Sequence, residues 1–136
     1  MYDVKVYSLK AEGSRQITDH FRVYEFACSD GSDVVFVSQA LADILENVRV
    51  HYGRPVTITS GYRTVSYNKT VNGSSKKSQH CNGLAADIKV EGHTPKEVYD
   101  YVCGLLGEHG GVGIYDTFVH VDTRSKKSRF DYRSKK

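Results

Sequence analysis

The sequence predicts an α+β fold, a mainly antiparallel sheet with helices packed on one side. Residues 38–53 and 94–108 carry apolar positions at helical spacing between clear start and stop residues. The strand-like runs are few, short and β-branched, and the helices are grouped between them in mixed order, which is the α+β pattern. At 136 residues with 39% hydrophobic residues, the chain is the size of one ordinary domain and can close its own core.

Taken in order, Val4 to Leu9 alternates as a strand does. Thr18 to Cys28 mixes aromatic and charged residues without a period; its secondary structure stays open, and Phe21, Tyr24 and Phe26 are expected to pack. From Ser38 onward, Leu41, Ile44, Leu45 and Val48 recur at helical spacing, with Ser38 as N-cap and Gly53 as a left-handed stop. Pro55 to Ser60 then reads as a short buried strand. It opens into Gly61 to Gln79, a polar loop long enough that it should line something. Leu84 to Val90 is a further strand, and Thr94-Pro95-Lys96-Glu97 is a capping box that starts a helix running to about Glu108. Gly110 and Gly111 break that helix, and Gly113 to Tyr115 and Phe118 to Thr123 read as two short strands.

The net charge is only +3, and much of the excess lies in Lys126, Lys127, Arg129, Arg133, Lys135 and Lys136. A nucleic-acid reader spreads basic residues over a face, so these residues are expected to form a solvated, frayed end and no nucleic-acid partner is expected. The domain expectation is therefore a body of residues 1–124 and a basic C-terminal tail of residues 125–136. Cys28, Cys81 and Cys103 are odd in number and form no CxxC pair, which argues against a disulfide framework. The N-terminus lacks the pattern of a secretory signal and no run is long and apolar enough to span a bilayer, so a soluble monomer with no membrane partner is expected, cytoplasmic as synthesised.

Chemistry concentrates in two segments. Ser78-Gln79-His80-Cys-Asn-Gly83-Leu-Ala-Ala-Asp87 places an imidazole at the end of the polar loop and a carboxylate inside an apolar strand. A buried carboxylate needs a partner, and a metal ion suits both it and a nearby His. Phe118-Val-His120-Val-Asp122 can complete the set, because His120 and Asp122 share one face of a strand. Two His and one carboxylate leave a tetrahedral zinc open to water, and zinc would acidify that water and polarise a scissile carbonyl. Each His taken alone is more often a satisfied surface or core residue than a ligand, and Asp87 could accept backbone amides instead. His20, His51, His93 and His109 lie outside these segments and read as ordinary.

Ser60-Gly-Tyr-Arg63-Thr64, then Ser78-x-His80-x-x-Gly83-x-Ala85-x-Asp87, then Phe118-Val-His120-Val-Asp122 together resemble the M15 peptidases. These are zinc D-alanyl-D-alanine carboxypeptidases and related wall endopeptidases, with a fold shared by the hedgehog signalling domain. The resemblance covers roughly residues 18–124, including the Phe21-x-x-x-Glu25-Phe26-x-Cys28 run. It implies one zinc per chain on His80, Asp87 and His120, Arg63 as the cation that holds a substrate carbonyl or carboxylate, and peptidoglycan peptide as partner. Ser78 and Gln79 are candidates to bind substrate or orient His80. Several relatives carry an acidic base three residues before the last His; that position is Thr117 here, with Asp116 one step earlier. Asp122 ranks first as base and Asp116 second, the other role for Asp122 being to fix His120 or to pair with Arg124. The implied function is hydrolysis of a stem-peptide bond, by a carboxypeptidase or an endopeptidase, in a precursor trimmer or a phage lysin released to the wall by a lysis system. The alternative is a non-catalytic, zinc-stabilised binding module.

Overall fold

The computed structural model describes residues 3–71 and 78–134. Its strands are β1 (Val4–Ser8), β2 (Val34–Ser38), β3 (Val56–Ser60), β4 (Ala85–Val90), β5 (Gly111–Ile114), β6 (Val119–Asp122) and β7 (Ser128–Asp131). The α-helices are α1 (Leu9–Glu12), α2 (Gln39–Tyr52), α3 (Val65–Asn68) and α4 (Pro95–Leu106), and single 3-10 turns cover Val23–Phe26 and Gln79–Asn82.

The two long helices start and stop where their residues demand. The Ser38 hydroxyl accepts the Leu41 N–H at 3.2 Å and itself donates to Asp3, while Gly53 closes α2 at φ 62°. At α4, Thr94 and Glu97 exchange both capping-box bonds and Pro95 occupies the first turn, where no intrahelical N–H is needed. Gly107, not Glu108, caps its C-terminus.

One sheet pairs β1 with β2; the other has the order β3-β4-β6-β5-β7, antiparallel throughout except for the parallel β5–β7 pair. Ala86, Ile88 and Val90 of β4, Val112 of β5, and Val119 and Val121 of β6 face one side, where they join Leu41, Leu45 and Val48 of α2 and Val98 and Val102 of α4 in a single core. The helices therefore cover one face of the large sheet. The opposite face carries Asp87, His120 and Asp122.

Three local expectations are corrected and one strand is added. Tyr24 is 57% exposed while Val23 and Phe26 are buried, because a 3-10 turn brings residues three apart to the same side. β3 is an edge strand with Thr57 and Thr59 in solvent, so only its Val56 side is buried. The run Val34–Ser38 is an additional strand, held to β1 in continuous antiparallel register. Finally, residues 128–131 are not a frayed end: β7 extends the sheet, and the Arg129 guanidinium donates to the carbonyls of Gly107 and Gly110 at 2.7 and 2.6 Å. Its basic charge is anchored where α4 leaves its terminal carbonyls.

Candidate active site

His80 sits in the 3-10 turn Gln79–Asn82, which the Ser78 hydroxyl caps by accepting the His80 N–H at 3.2 Å. Gly83 ends the turn at φ 72°, packed so closely on the Phe36 backbone that a Cβ would meet it at 2.7 Å. The ring Nδ1 lies 2.7 Å from the Gly61 carbonyl, which selects the tautomer with a proton on Nδ1 and leaves Nε2 as a lone-pair donor. Gly61 can present that carbonyl because its backbone lies against Phe26, where a side chain would collide.

Asp87 and His120 are direct cross-strand partners on β4 and β6, and the register continues to Gly113 on β5 and Phe130 on β7. Asp87 Oδ1 lies 3.3 Å from His80 Nε2 and 3.1 Å from His120 Nδ1. Each of the three residues is buried and offers one ligand atom, all within 4.8 Å of one another. Two imidazoles and a carboxylate brought together this closely are a donor set that zinc fits. His20, His51, His93 and His109 lie outside the cluster; His20 and His93 instead pair with Glu46 and Glu97.

His120 Nε2 is 2.7 Å from Asp122 Oδ2, so the ring is oriented with Nδ1 toward the cluster. Asp122 is fully buried and its oxygens also accept the Gly111 N–H, the Arg124 N–H and a bidentate fork from the Arg124 guanidinium at 2.8 and 2.7 Å. Both roles set beside that of base for Asp122, fixing His120 and pairing with Arg124, are occupied at once. Asp116 is exposed and bonded to the backbone and hydroxyl of Ser134, held at the β5–β6 turn rather than at the cluster.

Burial opposes ionisation of both Asp87 and Asp122. Hydrogen bonds and charges from His120 and His80 at the first, and from His120 and Arg124 at the second, outweigh it and hold both carboxyls well below the usual range. Burial likewise disfavours the His120 cation, but Asp122 and Asp87 reverse the effect and raise its pKa.

Arg63, 9% exposed, lies next to the cluster, with Nη2 3.5 Å from Asp87 Oδ2. Gln79 is half-buried beside His80, and its carbonyl accepts the Leu84 N–H. Aromatic residues that site-directed sequence reasoning misses flank the other side: Phe130 lies over Gly113 with its ring 5.4 Å from that of His120, and Tyr115 stacks on Phe118 at 4.3 Å. Burial, and then the charge of Asp87, push the Tyr115 phenol up. Strand alternation next to a ligand is the only sequence signal that could have singled out these rings.

On this α+β scaffold, the buried two-His, one-carboxylate cluster on the open face of the sheet is a set of side chains that could hold one metal ion. The chain belongs to the M15 peptidase family, whose model, described as Peptidase M15, matches residues 19–122. It is 36% identical over 76 residues to the peptidoglycan L,D-endopeptidase MepK of Escherichia coli K12, and equally to the protein of that name from Shigella flexneri. That match covers 52% of this chain and 41% of each relative, so the chain spans less than half the length of the curated relatives it matches. No solved structure gave a significant match.

Proposed function

We propose that this chain is a zinc-dependent peptidase that hydrolyses a peptide bond in bacterial peptidoglycan stem peptide. The observation that carries the reading is the convergence of His80 Nε2, Asp87 Oδ1 and His120 Nδ1 beside a buried guanidinium on the sheet face the helices leave open. Membership of the M15 family supports peptide-bond hydrolysis, and the name of the relative supports peptidoglycan as substrate.

One zinc per chain, held by these three residues, would supply a Lewis acid for the scissile carbonyl and lower the pKa of an attacking water. The protein's own residues do the rest. Gly61 O holds the Nδ1 proton of His80, and Asp122 holds the Nε2 proton of His120, so each ring keeps the other nitrogen as a ligand. Arg63 stabilises negative charge on the substrate carbonyl as it develops, or binds a terminal carboxylate. Ser78 serves His80 by capping its turn, and Gln79, half-buried next to His80 in the same turn, is the residue whose amide we assign to substrate.

One observation favours the second reading, a non-catalytic zinc-stabilised binding module: Asp122 and Asp116 are both committed to protein partners. The test is to incubate the zinc-loaded protein with purified peptidoglycan and with a D-Ala-D-Ala peptide and to identify products by mass. Cleavage between an L- and a D-residue in cross-linked material assigns an endopeptidase, and release of terminal D-Ala a carboxypeptidase. Intact substrates under every metal condition would leave the binding module as the better account.

A further inference from the structure

We propose that Ser60 and Asn68 are positioning residues that fix the Arg63 guanidinium for charge stabilisation at the metal centre, an inference that rests on the role given to Arg63 above. It begins with an irregularity in β3. Val56 and Ile58 pair with Val90 and Ile88 and share the core side with them, and regular alternation would put Ser60 on that same side. The register shifts between Ile58 and Ser60, and Ser60 lands opposite Asp87 instead. A β-bulge therefore re-aims Ser60 onto the face that carries the ligands.

There the Ser60 hydroxyl accepts from Arg63 Nε at 3.0 Å. Asn68, 4% exposed at the end of α3, accepts from Nη1 through Oδ1 at 3.2 Å. The hydroxyl of Thr64 caps α3 by accepting the Tyr67 N–H, which sets the turn that brings Asn68 back to Arg63. Nη2 completes the set at 3.5 Å from Asp87 Oδ2. Each nitrogen of the fork is thus directed by an acceptor on a different element, β3, α3 or β4. A guanidinium has five N–H donors, and one bond per nitrogen leaves a second hydrogen on each terminal nitrogen for a substrate oxygen.

The chemistry of the acceptors matters as much as their placement. The two shorter bonds go to neutral oxygens, which orient the cation without cancelling its charge. The only carboxylate of the set is the most distant, and its other oxygen faces the imidazoles. A cation oriented before substrate arrives requires no reorganisation when charge develops.

The test compares zinc-loaded Asn68→Ala, Ser60→Ala, Ser60→Thr, Arg63→Ala and the Asn68→Ala/Arg63→Ala pair on soluble cross-linked muropeptides. Loss of Arg63 should lower kcat roughly a hundredfold, the scale of one oxyanion donor. Asn68→Ala and Ser60→Ala should each lower kcat roughly tenfold, with KM and zinc content near wild type, as expected for a misplaced group. Ser60→Thr keeps the hydroxyl and should retain the rate. The paired variant should be no slower than Arg63→Ala alone, because both changes remove one interaction. Independently of turnover, nitrogen-15 spectra of the metal-free protein should show faster rotation of the Arg63 terminal nitrogens in Asn68→Ala. Additive losses in the pair, or unchanged rotation in folded Asn68→Ala, would overturn the inference. Full activity in Arg63→Ala would instead remove the role of Arg63 on which it rests.

Discussion

The bonding of Asp122 bears directly on its chemical role. A base needs an oxygen free to take a proton, but both oxygens here accept from Gly111, Arg124 or His120. Asp122→Asn should therefore weaken zinc binding by roughly ten- to a hundredfold, the usual scale for losing a partner of a ligating His. A zinc titration reads this directly, and turnover should recover at saturating metal. Turnover lost at full zinc occupancy would restore Asp122 as base, and Asp116→Asn should be silent in both assays. The raised pKa of His120 makes a second prediction for the metal-free protein. A raised folded-state pKa adds stability that is complete below the unfolded value near 6.5 and is lost as pH rises through the folded value. Denaturant midpoints of the metal-free protein should thus fall as pH rises above about 6.5, while zinc affinity climbs because the Nδ1 proton no longer competes. A midpoint that rises over that interval would contradict the arrangement.

At the scale of elements, α2 and α4 were legible in the sequence because capping residues and apolar period agree at Ser38, Gly53, Thr94 and Pro95. The strands that carry the candidate ligands were legible too, since alternation alone puts His120 and Asp122 on one face. The bulge at the end of β3 was not, because register belongs to the pairing with β4 and leaves no local mark. Nor was β7, whose Ser128-Arg129-Phe130-Asp131 holds a single apolar residue among charges and is ordered by β5 and by the Arg129 bonds. This strand can be tested apart from the metal. Phe130→Ala should cost about 1–2 kcal/mol in denaturant unfolding, less than a fully buried Phe because the ring is half-buried. Gly113→Ala should destabilise by about 1–3 kcal/mol, since a Cβ there collides with the same ring. A frayed terminus would leave the Phe130→Ala midpoint unchanged.

Across the whole molecule, the large sheet divides the work between its faces. One is closed by α2 and α4 into the core, and the other gathers two candidate ligands from paired strands and a third from the turn before β4. Rigid, hydrogen-bonded strands hold Asp87 and His120 in fixed register, which is how a site keeps its geometry before a metal arrives. The family match over residues 19–122 spans all three candidate ligands and Arg63. The central claim is that His80, Asp87 and His120 hold one zinc with a position left for water. Zinc K-edge absorption of the loaded protein tests it most directly. Two imidazole nitrogens and oxygen donors, all at about 2.0–2.2 Å, are expected. A sulfur scatterer near 2.3 Å, or an unaltered spectrum in His120→Ala, would contradict the account.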